Sequence, residues 1–287
     1  MFLTVCLNPT IQKTLCFSSV TPGSVNRTGV HRLDASGKGI NVTRVLTQLG
    51  KKAVHLTQLG GVMRPLFLSL CEQDGLSIEW AESNSEIRFC YTVLNESDYS
   101  VTELVEESQS VAAETEGRLL EKFNAMSDSH LIISGTKAAG FSDHIIPIMV
   151  RKAKEKGAHV ILDIKGKDLL ESLKYEPDVI KPNLEEFTAT FKTEPCKDMM
   201  LELSNKYRCR IILTNGSRKI LAAEKGNFSE IDISFNAQAA NTTGCGDAFT
   251  AGLASALDDG ADFRAAVNEG IRCGALNAAL VRPGVIR

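Results

Sequence analysis

One short stretch of the chain, NTTGCGDAF at positions 241–249, combines an anion-binding backbone with a carboxylate. Gly244 and Gly246 carry no Cβ, so backbone N–H groups can converge there at the start of an apolar helix. That helix start also carries partial positive charge, which suits a phosphate or a negatively charged transition state. Asp247, in the first turn, is either a capping acid or a general base that takes a proton from a hydroxyl group beside the anion.

A second cluster near the N-terminus, ASGKGINVTRVLTQLG at positions 35–50, also places glycines directly before a helix. Gly37, Lys38 and Gly39 precede Asn41 and a helix with an apolar face. The glycines are compatible with an ordinary helix start. Lys38 and Asn41 add donors that can bind hydroxyl groups or a phosphate.

A third motif, KPNLEEF, places Asn183 and Glu186 three residues apart, on one side of a helical turn. Taken alone, this motif is also compatible with a solvated helix start. The two commonest nucleotide signatures are absent from the chain, since no G-x-x-x-x-G-K-[ST] occurs and Phe249 stands where G-x-G-x-x-G needs its last glycine.

These clusters need a large folded domain to bring them together, and the composition allows one. The chain has 287 residues, 43% of them hydrophobic, and a formal net charge of −3, which gives no indication of a nucleic-acid partner. No apolar run reaches membrane-spanning length and the first residues lack the basic region of a signal peptide, so we expect no membrane. Eight scattered cysteines without a C-x-x-C pair favour reduced thiols in the cytoplasm.

Strand-length apolar runs alternate with helical patterns along the chain, as in HLIISG, SDHIIPIMVRKAKEKG and AHVILDIKG. This alternation predicts an α/β fold with a doubly wound, mainly parallel sheet and helices on both faces, in one domain over 1–287. Segments 11–34 and 87–106 break the rhythm and alternate like antiparallel strands. They form either a small β-sheet lid or an edge extension of the main sheet.

Together the first two clusters resemble the paired signatures of the PfkB, or ribokinase-like, family of carbohydrate kinases, G-G-K-G-x-N-V and D-[ST]-x-G-[AS]-G-D. NPTIQKT, VTELVEE, VIKPNLEEF and RPG follow in family order, so the resemblance covers nearly the whole chain. The branch that it most resembles is the phosphosugar kinases, 1-phosphofructokinase and tagatose-6-phosphate kinase. The resemblance implies ATP and Mg²⁺ as cofactors, a sugar phosphate as the small-molecule partner and a homodimer formed through the lid.

The same resemblance implies roles for individual residues. Asp247 is similar to the catalytic base of the family. The implied anion hole consists of Thr243, Gly244, Cys245 and Gly246. Substrate-binding positions are Gln12, Gly37, Lys38, Asn41 and Arg88. Nucleotide-binding positions are Lys181, Asn183, Thr214, Gly216 and Asn277, with Gly284 nearby. The metal is expected at Asp163, Asn183 and Glu186, through water.

Two positions depart from the family pattern on the acceptor side. Gln12 stands where relatives carry an aspartate that holds sugar hydroxyls, and Ser36 replaces the first glycine of the early signature. The expected reaction is phosphorylation of a ketohexose phosphate, with fructose 1-phosphate as the first candidate and tagatose 6-phosphate as the second. A kinase of an unphosphorylated sugar or nucleoside remains an alternative, and a non-catalytic sensor is the alternative from another class.

Overall fold

The computed structural model describes residues 1–126, 129–233 and 239–287. Its strands are distributed between a nine-stranded and a four-stranded sheet. In chain order they are β1 Phe2–Leu7, β2 Thr10–Phe17, β3 Val30–Ser36, β4 Ala53–Leu59, β5 Ser77–Glu82, β6 Arg88–Asn95, β7 Ser100–Val105, β8 His130–Lys137, β9 His159–Asp163, β10 Val179–Ile180, β11 Arg210–Thr214, β12 Lys219–Glu224 and β13 Asn227–Asp232.

The helices lie on both faces of the large sheet. They are α1 Lys38–Gln48, α2 Arg64–Gln73, α3 Ala113–Ala125, α4 Ile145–Glu155, α5 Gly166–Ser172, α6 Leu184–Phe191, α7 Lys197–Tyr207, α8 Cys245–Asp258 and α9 Phe263–Ala278, with a short 3₁₀ turn at Leu173–Tyr175. Side chains of alternate strand residues enter opposite cores: Phe2 packs with α1, α8 and α9, whereas Leu3 packs in the cluster that contains α3 to α7.

The large sheet has the order β13-β12-β11-β10-β9-β8-β1-β4-β5. All its neighbouring strands are parallel except at β12 and β13, which pair antiparallel. The chain runs outward from β1 to β4 and β5 and returns to β8 on the other side. The strand order therefore reverses between β1 and β8, which makes the sheet doubly wound and opens a crevice at the carboxyl ends of these strands. The predicted fold class is confirmed.

The two segments that break the βα rhythm form a separate sheet of order β3-β2-β6-β7. This small sheet shares no strand with the large one, so the edge-extension alternative is wrong. Ile11 and Ala35, which are completely buried, anchor it in a cluster with Phe67 and Cys71 of α2. The small sheet thus stands on the main body at the crevice side. Within the described ranges, no helix is both long and apolar enough to cross a membrane.

Candidate active site

The glycine-rich stretch forms a sharp turn into α8, and Asp247 lies in the first turn of that helix. Gly244 is the N-cap with a φ of 84°, a left-handed conformation that is strained for a residue with a side chain. A Cβ there would also stand 2.9 Å from the backbone nitrogen of Gly284. The glycine is therefore required both by its dihedral angle and by the close approach of the C-terminal segment.

The backbone of this turn offers donors toward the crevice. Asn241 Oδ1 accepts from the Thr243 N–H at 2.9 Å, and the Cys245 N–H donates to the Thr242 carbonyl. Further along the helix, the Ala248 N–H donates to the Gly244 carbonyl at 2.9 Å. Among the described residues, the N–H groups between them at Gly246 and Asp247 have no acceptor, as expected for a helix start. The free donors thus lie at Gly246 and Asp247, whereas the N–H groups of Thr243 and Cys245, which the resemblance assigned to an anion hole, are bonded within the turn.

Asp247 is only 5% exposed. Burial is the main cause that raises the pKa of its carboxyl group to about 7, and the charge of Asp163 adds to it. Lys38 and the side-chain hydrogen bond from Asn41 act in the opposite direction. Asn41 Nδ2 donates to Asp247 Oδ2 at 2.8 Å. A carboxyl group with a pKa near neutrality, held by one donor at a helix start, is suited to general base chemistry.

Two lysines and two acids meet beside this carboxyl group. Lys38 Nζ lies 3.5 Å from Asp163 Oδ1 and 3.4 Å from Glu186 Oε1, and Lys181 Nζ lies 3.2 Å from Asp163 Oδ2. The Asp163 carboxylate raises the pKa of Lys38 far above its ordinary value. Burial alone would raise the pKa of Asp163, but Lys181 and Lys38 hold it below its ordinary value. Lys38 therefore stays charged within the crevice.

Lys181 also borders the anion hole, because its Nζ lies 3.7 Å from the point where a Cβ of Gly246 would stand. The strand ends explain the convergence: Asp163 ends β9, Lys181 directly follows β10 and Thr214 ends β11. Parallel strands bring their carboxyl ends to one edge of the sheet. Gly216 lies just beyond, in a turn with open space around it.

Asn183 and Glu186 form a reciprocal capping box at the start of α6. Asn183 Oδ1 accepts from the Glu186 N–H at 2.8 Å, and Glu186 Oε2 accepts from the Asn183 N–H at 3.1 Å. The N-x-x-E spacing thus forms a helix cap. Glu186 keeps Oε1 toward Lys38 and the crevice.

The oxygen donors of this region fit a hard cation that keeps water in its shell. No three His, Cys, Asp or Glu residues of the described chain are grouped to hold a metal directly. Glu186 offers a carboxylate oxygen, and Asp163 Oδ1 is buried without a hydrogen-bond donor. Mg²⁺ is usually bound through one or two carboxylates, water and substrate phosphates, so this donor set fits it.

The acceptor-side residues lie in the small sheet and at its junction with α1. Gln12 is buried and donates to Thr92 Oγ1 on the neighbouring strand. Arg88 Nη1 donates to the Glu106 carbonyl at 2.9 Å, and its Nε is buried without a partner. Burial raises the pKa of the Cys6 thiol, and the charges of both Arg88 and Asp247 act on it. Cys6 therefore lies within electrostatic range of both Arg88 and Asp247.

Asn277 is completely buried and ties the anion hole to the C-terminal segment. Its Nδ2 donates to the Thr243 carbonyl at 3.1 Å, and its Oδ1 accepts from the Gly284 N–H at 2.7 Å. These bonds occupy the side chain with the protein's own backbone. Among its described contacts, Asn277 positions the turn that carries the anion hole.

Several residues of the site escaped the sequence analysis because their partners lie far away along the chain. Thr243 Oγ1 donates to Glu103 Oε1 of β7 at 2.9 Å, so the small sheet touches the anion hole. Arg44 Nη1 donates to Asn41 Oδ1 at 3.0 Å. No local spacing marks Glu103 or Arg44, since each belongs to an ordinary strand or helix pattern.

Comparison with known proteins identifies the family of the chain. A family model described as pfkB family carbohydrate kinase matches residues 7–282. A tagatose-6-phosphate kinase of Staphylococcus epidermidis is 29% identical over 269 residues, which cover 90% of this chain and 85% of that protein.

Two solved structures share the fold. Phosphofructokinase-2 from Escherichia coli, crystallised with substrates and products, has a TM-score of 0.89 at 20% identity, covering 97% of this chain and 93% of the other. A possible 1-phosphofructokinase from Thermotoga maritima has a TM-score of 0.88 at 20% identity, covering 98% and 92%. Since the family model spans nearly the whole chain, including both glycine-rich clusters, the protein belongs to the pfkB family of carbohydrate kinases and is a phosphotransferase that acts on a sugar hydroxyl group.

Proposed function

We propose that the protein transfers the γ-phosphoryl group of MgATP to a hydroxyl group of a ketohexose phosphate, with the C6 hydroxyl of fructose 1-phosphate as the first candidate. The observation that carries the proposal is the buried Asp247 carboxyl group, with a pKa of about 7, beside free N–H groups of the α8 start. A base near neutrality and an anion hole are the two components that phosphoryl transfer to an alcohol requires.

Each residue of the site has its own role in the proposed reaction. Asp247 accepts the proton of the attacking hydroxyl group, on the oxygen that Asn41 does not bind. The N–H groups of the turn and Lys181 stabilise the phosphoryl group that moves, and Lys38 neutralises charge between Asp163 and Glu186. Glu186, Asn183 and Asp163 would hold Mg²⁺ through water, and this ion supplies charge stabilisation on the phosphate oxygens.

Thr214, Gly216 and Asn277 stand on the nucleotide side of the crevice in this proposal. Thr214 ends β11 and Gly216 lies two residues beyond it, where no atom stands within 4 Å of the point that a Cβ would occupy. Asn277 acts from behind, because it holds the Thr243 carbonyl and the Gly284 N–H.

A sugar that already carries a phosphate is favoured by Arg88. Its guanidinium has a buried Nε without a partner, and both Arg88 and Asp247 act electrostatically on Cys6. A planar guanidinium binds phosphate oxygens bidentately. The name of the Staphylococcus epidermidis relative supports the same substrate class and makes tagatose 6-phosphate the second candidate.

The small sheet acts as a lid and as a dimer surface in this proposal, over 11–34 and 87–106. Its edge strands β3 and β7 carry exposed apolar side chains, of which Val30 is 64% and Leu104 56% exposed. A small open-edged sheet is marginal alone, so pairing with a second copy would cover it. The cytoplasmic location remains a prediction from the cysteines, all of which are free.

The test is ADP release by the purified protein with ATP and Mg²⁺ against fructose 1-phosphate, fructose 6-phosphate, tagatose 6-phosphate, fructose, ribose and adenosine. Turnover on one phosphosugar supports the proposal and identifies the branch. Turnover on a neutral sugar or adenosine would refute the phosphosugar assignment, and ATP binding without any turnover would favour a sensor.

Arg88→Met sharpens this test. We expect the variant to raise the KM for the phosphosugar by about tenfold or more while the KM for ATP stays constant, because a charge-assisted phosphate contact is lost. Arg64→Met is the matched control. Arg64, on α2, lies over the ring of Trp80 on β5 and pairs with Glu82. An unchanged acceptor KM in Arg88→Met would remove Arg88 from the acceptor site.

A further inference from the structure

We propose that Arg44 is a positioning residue that holds the Asn41 amide in the orientation in which it donates to Asp247. The proposal rests on the function proposed above, because it concerns the base of the same reaction. Among its described hydrogen bonds, Arg44 contacts neither the glycine-rich turn at 243–246 nor the Asp247 side chain. It acts through Asn41.

The geometry fixes which way the amide points. Arg44 lies three residues after Asn41 on α1, is 3% exposed, and its Nη1 is 3.0 Å from the Asn41 side-chain atom that faces it. A guanidinium has only donors, so that atom must be Oδ1. The amide nitrogen then faces the other way, where it donates to Asp247 Oδ2 at 2.8 Å.

The Arg44 guanidinium is itself held from three sides. Nε donates to Asp74 Oδ2 at 2.9 Å, Nη2 to the Ala35 carbonyl at 2.6 Å, and Nη1 also approaches the Pro283 carbonyl at 3.4 Å. Asp74 belongs to the end of α2, Ala35 to β3 and Pro283 to the C-terminal segment. The direction of the Nη1 donor toward Asn41 is therefore determined by the tertiary structure.

The same aspartate also binds Arg282, whose Nε pairs with Asp34 Oδ1 at 2.8 Å. Buried ion clusters of this kind contribute little to stability compared with apolar side chains of the same volume. Orientation of Asn41 gives the cluster a role that an apolar replacement could not supply. Arg282 belongs to the same cluster but does not contact Asn41, so it provides a matched comparison for Arg44.

Loss of the Arg44 donor would leave only the longer contact from Ser36 Oγ, 3.4 Å from Asn41 Oδ1, to hold the amide. The amide could then rotate and bring its oxygen lone pairs toward the Asp247 carboxylate. The hydrogen bond from Asn41 lowers the pKa of Asp247, so its loss must raise that pKa further. The other charged and titratable groups that act at Asp247 come from α1, β9, the end of β10, β1 and α8. They are Lys38, Asp163, Lys181, Cys6 and Cys245.

The test compares Arg44→Met with Arg282→Met in the pH profile of kcat on the phosphosugar that the wild-type protein uses. In Arg44→Met we expect the acid limb to move to higher pH by about one unit, the effect of one hydrogen bond to a charged group. Because the pKa of Asp247 is about 7, this shift lowers the deprotonated fraction at pH 7 from about a half to about a tenth, so kcat at pH 7 should fall about fivefold. The KM for ATP should stay constant. Arg282→Met removes the same charge from the same cluster and should keep the wild-type limb.

An unshifted limb in Arg44→Met, or an equal shift in both variants, would overturn the proposal. If Arg44→Met does not fold, Arg44→Lys replaces it, because one ammonium group cannot reach Asp74, Ala35 and Asn41 together. Its limb should also move upward, by less, and a wild-type limb in folded Arg44→Lys overturns the proposal too. In an Asn41→Ala background, Arg44→Met should add no further shift.

A second readout separates this proposal from the proposed function. The Asp247 carboxyl carbon can be titrated by ¹³C NMR, with Asp247→Asn for assignment, whether or not any sugar is phosphorylated. A raised Asp247 pKa in Arg44→Met supports positioning even if the substrate panel stays silent. An unchanged titration overturns it even if the kinase activity is found.

Discussion

Replacing Asp247 by asparagine should make the protein a much slower enzyme and, at neutral pH, a more stable one. The isosteric amide cannot accept a proton from a hydroxyl group, so kcat should fall at least about a hundredfold while ATP still binds. The amide oxygen can still accept from Asn41 Nδ2, which donates at 2.8 Å in the native site. The gain in stability comes from the buried carboxylate that the substitution removes.

The size of that gain follows from the pKa of Asp247, about 7 in the folded protein against an ordinary value of 3.8. Between these two pH values the folded state holds a proton that the unfolded state has released. Stability contributed by the carboxyl group therefore falls as pH rises through this window and is constant above it. The difference of about 3 units corresponds to about 4 kcal/mol at pH 8, and to about 2 kcal/mol at pH 5.

Urea unfolding at pH 5 and pH 8, followed by circular dichroism, measures both values, and ADP release measures kcat. Asp74→Asn is the matched control with the opposite sign: burial alone would raise the pKa of Asp74, but Arg282 and Arg44 hold it low, so this variant should be destabilised at pH 8. Equal stability of wild type and Asp247→Asn at pH 8 would refute the desolvation argument. Near-normal turnover of the variant would remove Asp247 from the reaction.

Three further changes test other parts of the site. Glu186→Gln should raise the Mg²⁺ concentration for half-maximal activity about tenfold, because the negative charge of a carboxylate near the ion is lost. Metal titration at fixed ATP measures this concentration, and an unchanged value would contradict the metal assignment. Gly284→Ala should lower the free energy of unfolding by about 1–3 kcal/mol in urea, because φ is +69° and a Cβ would stand 2.8 Å from the Asn41 Cα; native stability would contradict that close approach. Glu103→Ala removes the bond from Thr243 Oγ1 and should raise ADP release without acceptor about fivefold, as closure of the small sheet weakens by about 1 kcal/mol; an unchanged background would show that this contact does not gate water.

Local sequence patterns predicted much of the fold. The run from Phe2 to Leu7 is apolar except for Thr4 and has the length of a strand, so its strand assignment needed no tertiary information. All six of its side chains are buried, as in a central parallel strand. The small sheet was visible as alternation in 11–34 and 87–106. Whether it extended the large sheet or stood apart depended on long-range pairing, in particular of β2 with β6, some 78 residues away.

The N-x-x-E spacing shows how one pattern can serve two purposes. Asn183 and Glu186 were identified from family resemblance as metal-side residues, and their backbone-bound capping box came from the coordinates. Capping is a local interaction that the same spacing specifies. The proximity of Glu186 to Lys38, across 148 positions, is a property of the folded chain alone.

By itself, the sequence determined the doubly wound α/β class and the helix start after the glycine-rich turn, because strand period, glycine conformation and helix polarity are local properties. The resemblance of its motifs to a family made Asp247 the candidate base rather than a capping acid. Only the tertiary structure decided the chemistry of that base. Burial of Asp247, the donor on Asn41, and the ring of Arg44, Asp74 and Arg282 beneath it bring together segments more than 200 residues apart. Desolvation and charge–charge interactions depend on such distances in space, so no spacing along the chain could have revealed them.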